Sequence, residues 1–141
     1  MLFAADETSV SRTPSVVATW APVGETPVLR HDARRGRFSA LVLLSPCGLL
    51  FKDTVEKSFT GQRILVNLKT LLATVTGQIV LLLDGASIHW TSEIAEWLRR
   101  PEVAARLSVE RFPAYSPQLN PVELLNAAAK RRMGNHAADT M

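Results

Sequence analysis

Apolar and polar positions recur with two different periods along this chain, and the change between them separates strands from helices. Leu2 to Ala5 is a short apolar run that stops at the acidic pair Asp6-Glu7. Val16 to Trp20 reads as a further short strand, followed by a segment that Pro22, Gly24 and Pro27 punctuate. Phe38 to Leu44 is β-like, Ser45-Pro-Cys-Gly48 supplies turn chemistry, and another strand begins over Leu49 to Phe51, which together predict a hairpin. From Thr60 the period lengthens. Ile64, Leu65, Leu68, Leu71 and Leu72 share one helical face, and Gly77 is placed to close that helix as a C-cap. Ile79 to Leu83 is uninterruptedly apolar and ends at Asp84-Gly85, as expected of a strand buried on both faces. Thr91 to Arg100 predicts an amphipathic helix with Ile94, Trp97 and Leu98 inward and Pro101 just past its end. Leu107 to Phe112 is a last strand, and a Pro-rich loop leads through Asn120-Pro-Val-Glu123 into a helix rich in Ala, Leu, Lys and Arg.

Strands first, then helices alternating with strands, predict an α/β fold built on a mixed sheet. The initial strands are antiparallel, the later ones parallel, and helices flank the sheet. Asp6 and Asp84, each at the end of an apolar strand, are then expected on one sheet edge, where ligands of open α/β sheets gather. With no repeat, linker or low-complexity tract, residues 1–133 are expected to form one domain, with a flexible tail over 134–141.

Composition changes this picture little. A chain of 141 residues that is 47% hydrophobic suits a single globular domain, and no apolar stretch is long enough for a membrane span. The opening residues lack the pattern of a secretory signal. Cys47 is the only cysteine, so no intrachain disulfide can form. A cytoplasmic protein without a membrane partner is the expectation. The net charge of +3 is mild, but its distribution is uneven. Arg30, His31, Arg34, Arg35 and Arg37 form one basic cluster, and Lys130, Arg131 and Arg132 another. Either cluster suits DNA phosphates, and either is equally read as solvated loop and helix-end charge.

Candidate chemistry centres on three carboxylates. Asp84 leaves a rigid strand end, although Asp-Gly is also ordinary turn chemistry. Asp6 and Glu7 are neighbours on a strand, so they point to opposite faces and only one can serve a given site. Asn120 at N-cap, Pro121 at N1 and Glu123 at N3 fit a capping box, a purely structural role that would compete for the Glu123 oxygens. Brought together, Asp6, Asp84 and Glu123 would repel one another unless a cation compensated them. Oxygen-only ligands suit Mg²⁺ or Mn²⁺, and two such ions can serve phosphodiester cleavage. His89 is a candidate neighbour of the site, or simply a polar residue at a helix start.

Four motifs go further: Phe3-Ala-Ala-Asp6-Glu7, Thr19-Trp-Ala-Pro22 with Gly24-Glu-Thr-Pro-Val-Leu-Arg30, Leu82-Leu-Asp84-Gly-Ala-Ser-Ile-His89, and Pro113-Ala-Tyr-Ser-Pro-Gln-Leu-Asn-Pro-Val-Glu123. In this order they resemble the DDE transposases of bacterial insertion sequences, in the branch related to eukaryotic mariner elements. The resemblance implies a ribonuclease-H-like fold, two divalent metal ions, and DNA hydrolysis followed by strand transfer in a homodimer. It assigns the catalytic and metal-binding carboxylates to Asp6, Asp84 and Glu123, with Glu7, His89 and Asn120 around them. DNA contacts fall to Arg30, Arg34, Arg35, Arg37, Lys130, Arg131 and Arg132. The chain departs from the pattern at Gly85, where such proteins often carry Asn, and in the plain Leu124-Leu-Asn-Ala start of the last helix, often marked by Trp. Helix-turn-helix domains precede this core in the family, whereas only Met1 to Ala5 precede Asp6. The resemblance therefore predicts a truncated or split catalytic domain, with an inactive remnant serving as an interaction module as the alternative. A general ribonuclease-H-like nuclease fits the last motif less well.

Overall fold

The computed structural model describes residues 1–13, 15–28, 36–113 and 116–134. Three antiparallel strands come first: β1 (Leu2–Ser11), β2 (Arg37–Leu44) and β3 (Leu50–Glu56). Helix α1 (Gly61–Thr74) then carries the chain to β4 (Ile79–Leu83), and α2 (Ser92–Leu98) with the short α3 (Pro101–Ala104) leads to β5 (Leu107–Arg111). Helix α4 (Pro121–Met133) closes the described fold. The sheet order is β3-β2-β1-β4-β5, with β4 parallel to both β1 and β5. This is the mixed sheet expected from the order of elements, with β1 at its centre.

The two faces of β1 are covered differently. Phe3 and Ala5, with Leu41 and Leu43 of β2 and Ile79, Leu81 and Leu83 of β4, face α1 and α2. Ile64, Leu65, Leu68 and Leu71 of α1 and Ile94 and Trp97 of α2 complete that core. Each such side chain contributes about 1.5–3 kcal/mol on burial. The opposite face of β1 packs against α4, where Val122 is fully buried. Asp6 and Glu7 are thereby sorted to opposite sides of one strand.

Several predicted boundaries shift. β1 does not stop at the acidic pair, because Glu7 to Ser11 go on pairing with Leu41 to Arg37. Asp6 is therefore a mid-strand residue. Val16 to Trp20 is not a strand; Val16 is 84% and Trp20 100% exposed. α1 ends at Thr74 with Val75 as its cap, and Gly77, at φ +80°, instead turns the chain into β4. Pro101 opens α3 rather than merely following α2, since proline fits the first helical position. β4 is buried on one face only: Val80 on the other is 38% exposed, because α4 covers β1 and β2 instead. The predicted 134–141 tail lies outside the described residues except for Gly134, the C-cap of α4.

Candidate active site

Strand register sets the first two acids. Pairing of β1 with β4 runs from Leu2 opposite Val80 to Ala4 opposite Leu82. Asp6 and Asp84 each lie two residues beyond that last pair, on the continuations of two neighbouring parallel strands. Asp6 is half-buried, and burial pushes its carboxyl above the ordinary range. The hydrogen bond from Asn126 works against that rise, while the negative charges of Glu123 and Asp84 add to it. The three carboxylates therefore already interact electrostatically.

Asp84 is held by the turn that follows β4. Its Oδ1 accepts from the Ala86 N–H at 2.9 Å, and its carbonyl accepts from Trp90 Nε1 at 3.0 Å. The Asp-Gly turn geometry is thus present, and Asp84 also lines the cleft. His89, only 2% exposed, joins both acidic motifs. Its Nε2 lies 2.8 Å from Glu7 Oε1, and its Nδ1 lies 2.9 Å from Asp84 Oδ1, the latter an ionic contact off the hydrogen-bonding direction. Burial lowers the imidazole pKa, but the Glu7 hydrogen bond and the charges of Asp84 and Glu7 outweigh it, so the ring titrates above its ordinary value. Glu7 thus meets Asp84 through His89, while Asp6 faces α4.

α4 delivers the third acid. Asn120 caps it, with its Oδ1 accepting from the Val122 N–H at 3.1 Å. Its Nδ2 donates to the Ala5 carbonyl at 3.3 Å, which fastens the helix start to β1. One turn on, Asn126 Nδ2 donates to Asp6 Oδ2 at 2.8 Å. Glu123 lies between these two anchors, and its backbone N–H donates to the Asn120 carbonyl. The reciprocal half of a capping box is absent: the Asn120 N–H donates instead to the Pro117 carbonyl at 2.9 Å. The exposed Glu123 side chain lines a cleft of about 260 Å³ with Asp84, Arg111 and Pro117.

Among the described residues, no three His, Cys, Asp or Glu side chains stand close enough to hold one metal ion as placed. Sequence reasoning missed two residues of this region. Asn126 lies one turn into α4, in the helix start that the resemblance expected to be richer in aromatics, and Arg111 ends β5 beside the cleft. Only spacing hinted at Asn126, three residues after Glu123 and so on the same helical face.

The basic residues are more dispersed. Arg37 begins β2 opposite Ser11, about 17 Å along the hairpin from the Asp6–Val42 pair at strand spacing. Lys130, Arg131 and Arg132 lie exposed in the last turn of α4, where they complement the helix dipole. Arg30, His31, Arg34 and Arg35 lie outside the described residues. No helix among the described residues is long and apolar enough to cross a membrane.

Residues 1–140 match a protein family described as DDE superfamily endonuclease. No curated protein matches the chain significantly. Among solved structures, the chain is similar to the Mos1 transposase paired-end complex with left transposon end, at a TM-score of 0.73 and 19% identity over 99% of this chain and 44% of that one. It is similar to the Mos1 strand transfer complex at a TM-score of 0.75 and 18% identity, over 99% of this chain and 43% of that one. A Mos1 mariner paired-end complex with Mn matches at a TM-score of 0.72 and 18% identity, over 99% and 44% of the respective chains. At such identities the likeness concerns the fold, the ribonuclease-H-like mixed sheet with its flanking helices. The chain spans less than half the length of the proteins it matches.

Proposed function

The chain belongs to the DDE superfamily endonucleases, and from that membership we propose that it is the catalytic domain of a cut-and-paste DNA transposase, residues 1–133, encoded by a bacterial insertion sequence of the mariner-related branch. Its reaction is phosphodiester hydrolysis at transposon ends followed by strand transfer into target DNA. One observation supports this above the rest: two buried amides, Asn120 and Asn126, fasten the helix of Glu123 to the strand of Asp6, whose parallel neighbour β4 runs out just before Asp84.

The donor set fits hard divalent cations. All three side chains offer oxygen, and the charges of Glu123 and Asp84 already oppose ionisation of Asp6, a repulsion that Mg²⁺ or Mn²⁺ would relieve. Asp6, Asp84 and Glu123 would hold the metal, as two ions in this reading. When bound, such ions polarise the scissile phosphate and ease deprotonation of the attacking water or hydroxyl. The chain's own contribution is positioning. Asn126 orients Asp6, the Ala86 N–H and His89 orient Asp84, and Asn120 sets the direction of Glu123. Phosphate contacts by Arg37, Lys130, Arg131 and Arg132 would be sequence-independent and salt-sensitive, as would those of Arg30, Arg34 and Arg35. Joining two DNA ends calls for a homodimer, acting in the cytoplasm.

A second reading is a catalytically inert remnant that acts as an interaction module. It is favoured by the spacing of the carboxylates, since no three acidic or imidazole groups among the described residues converge on one ion as placed. Incubating the purified chain with supercoiled DNA and Mn²⁺ separates the two. Nicking by the wild type that is lost in Asp84→Asn supports an active metal site. Equal nicking by both proteins, or none by either at low salt, supports the remnant. Adding an upstream fragment expressed separately tests whether a split reading frame can be complemented.

A further inference from the structure

Arg111 ends β5 at the rim of the acidic cleft, and the carboxylate chemistry gives it no task. Its guanidinium lies over the Trp90 ring, 4.7 Å from the centroid. Trp90 is itself fixed, because its Nε1 donates to the Asp84 carbonyl. The cation is therefore seated on a plate that belongs to the Asp84 turn. Stacking occupies the faces of a guanidinium and leaves its N–H edge for an acceptor.

Gly85 lies beside the guanidinium: a Cβ at that position would stand 3.9 Å from Arg111 Cδ and Nε, in ordinary van der Waals contact. Asp84 and Glu123 line the same cavity as Arg111, yet among the described residues no acid lies within ion-pairing distance of it. A cation that shares a cleft with two carboxylates and pairs with neither is available to another anion.

We infer that Arg111, seated on Trp90, is a phosphate-binding residue that takes the nonbridging oxygens of a DNA phosphodiester entering the cleft between Asp84 and Glu123. This rests on the reading of the chain as a DNA-processing domain and adds the group that admits a polyanion to an acidic site. A phosphodiester approaching Asp84 and Glu123 meets like charge. The planar fork of an arginine offsets that charge and matches two phosphate oxygens at once, whereas an ammonium supplies only a point charge.

Binding of a short fluorescein-labelled DNA duplex, followed by anisotropy over a salt series in Ca²⁺, tests this apart from catalysis. Arg111→Gln is expected to weaken binding about tenfold or more and to reduce the salt slope by about one phosphate contact. Arg111→Lys should recover the slope but not the full affinity. Wild-type affinity and slope in Arg111→Gln would overturn the inference, as would complete rescue by lysine. So would tighter Mn²⁺ binding by Arg111→Gln with unchanged DNA binding, since Arg111 would then only neutralise the acids. Arg111-dependent binding by a chain that never nicks DNA leaves the inference standing and removes the catalytic reading. Nicking with Arg111-independent binding does the reverse, and a wild type that binds no DNA at low salt removes both.

Discussion

Asn126 Nδ2 donates to Asp6 Oδ2 over 2.8 Å, and this bond joins the helix that carries Glu123 to the strand that carries Asp6. Asn126 is itself buried, so the contact is shielded from competing water. It holds one oxygen of the Asp6 carboxylate. Asn126→Ala should therefore weaken Mn²⁺ binding, measured by calorimetry, by roughly tenfold or more. Because this hydrogen bond holds the Asp6 carboxyl down against the rise caused by burial, its loss moves that carboxyl further up. The acid limb of the nicking rate should shift to higher pH. An unshifted limb with unchanged Mn²⁺ affinity would reduce Asn126 to a packing role.

Asp6 also costs stability. Its folded pKa lies above 3.8, chiefly through burial, so the folded chain holds the proton more tightly than the unfolded chain does. The penalty is absent well below 3.8, grows as pH rises past that value, and is complete above the folded pKa. Asp6→Asn removes it. The variant should melt a few degrees above the wild type at neutral pH, converge with it in acid, and fail to nick DNA. Equal melting temperatures at neutral pH would contradict the account.

Glu123 separates a structural from a chemical role. Since the Asn120 N–H is already bonded to the Pro117 carbonyl, the Glu123 carboxylate is not needed as a cap. Glu123→Gln should melt close to the wild type while losing Mn²⁺-dependent nicking. A clear loss of stability with nicking retained would restore the capping-box reading.

Asn120 should behave in the opposite way. It caps α4 and satisfies the buried Ala5 carbonyl with one side chain. Asn120→Ala should cost about 1–3 kcal/mol in urea unfolding, from the lost cap and the orphaned carbonyl. Asn120→Asp keeps the capping oxygen and loses the donor, so an intermediate cost is expected. A neutral Asn120→Ala would show that Val122 and the Asn126–Asp6 bond are enough to anchor α4.

At the far edge of the sheet, Asp53 of β3 accepts two hydrogen bonds from Arg63 of α1, at 2.6 and 2.7 Å, and a third from Asn67 at 2.8 Å. The Arg63 hydrogen bond above all holds the Asp53 carboxyl below its ordinary value, with Asn67 adding to it against burial. A depressed carboxyl stabilises the fold above its unfolded pKa of 3.8 and loses that contribution as pH falls through the folded value. Asp53→Asn should lower the urea midpoint at neutral pH, and the gap to the wild type should close in acid. A gap independent of pH would mean that packing, not charge, is lost.

Much of the fold is written in local periodicity. The hairpin of β2 and β3, the helical face from Ile64 to Leu71, the apolar β4 and the Asn120-Pro121 start of α4 each depend on neighbours a few residues away, so they are legible in the chain itself. The opposition of Asp6 and Glu7 follows equally from the two-residue period of a strand.

Other features are long-range and are decided only when distant segments pack. β1 runs on to Ser11 because β2 offers partners to Glu7 and its successors, and Val16 to Trp20 stays outside the sheet with Val16 and Trp20 exposed. The Asn126–Asp6 bond spans 120 residues of sequence, and the seat of Arg111 on Trp90 unites the end of β5 with the turn that follows β4. No periodicity encodes such pairs. An amide or a guanidinium acquires its partner from the crossing of elements, and that crossing is set by which faces the helices and strands bury against one another.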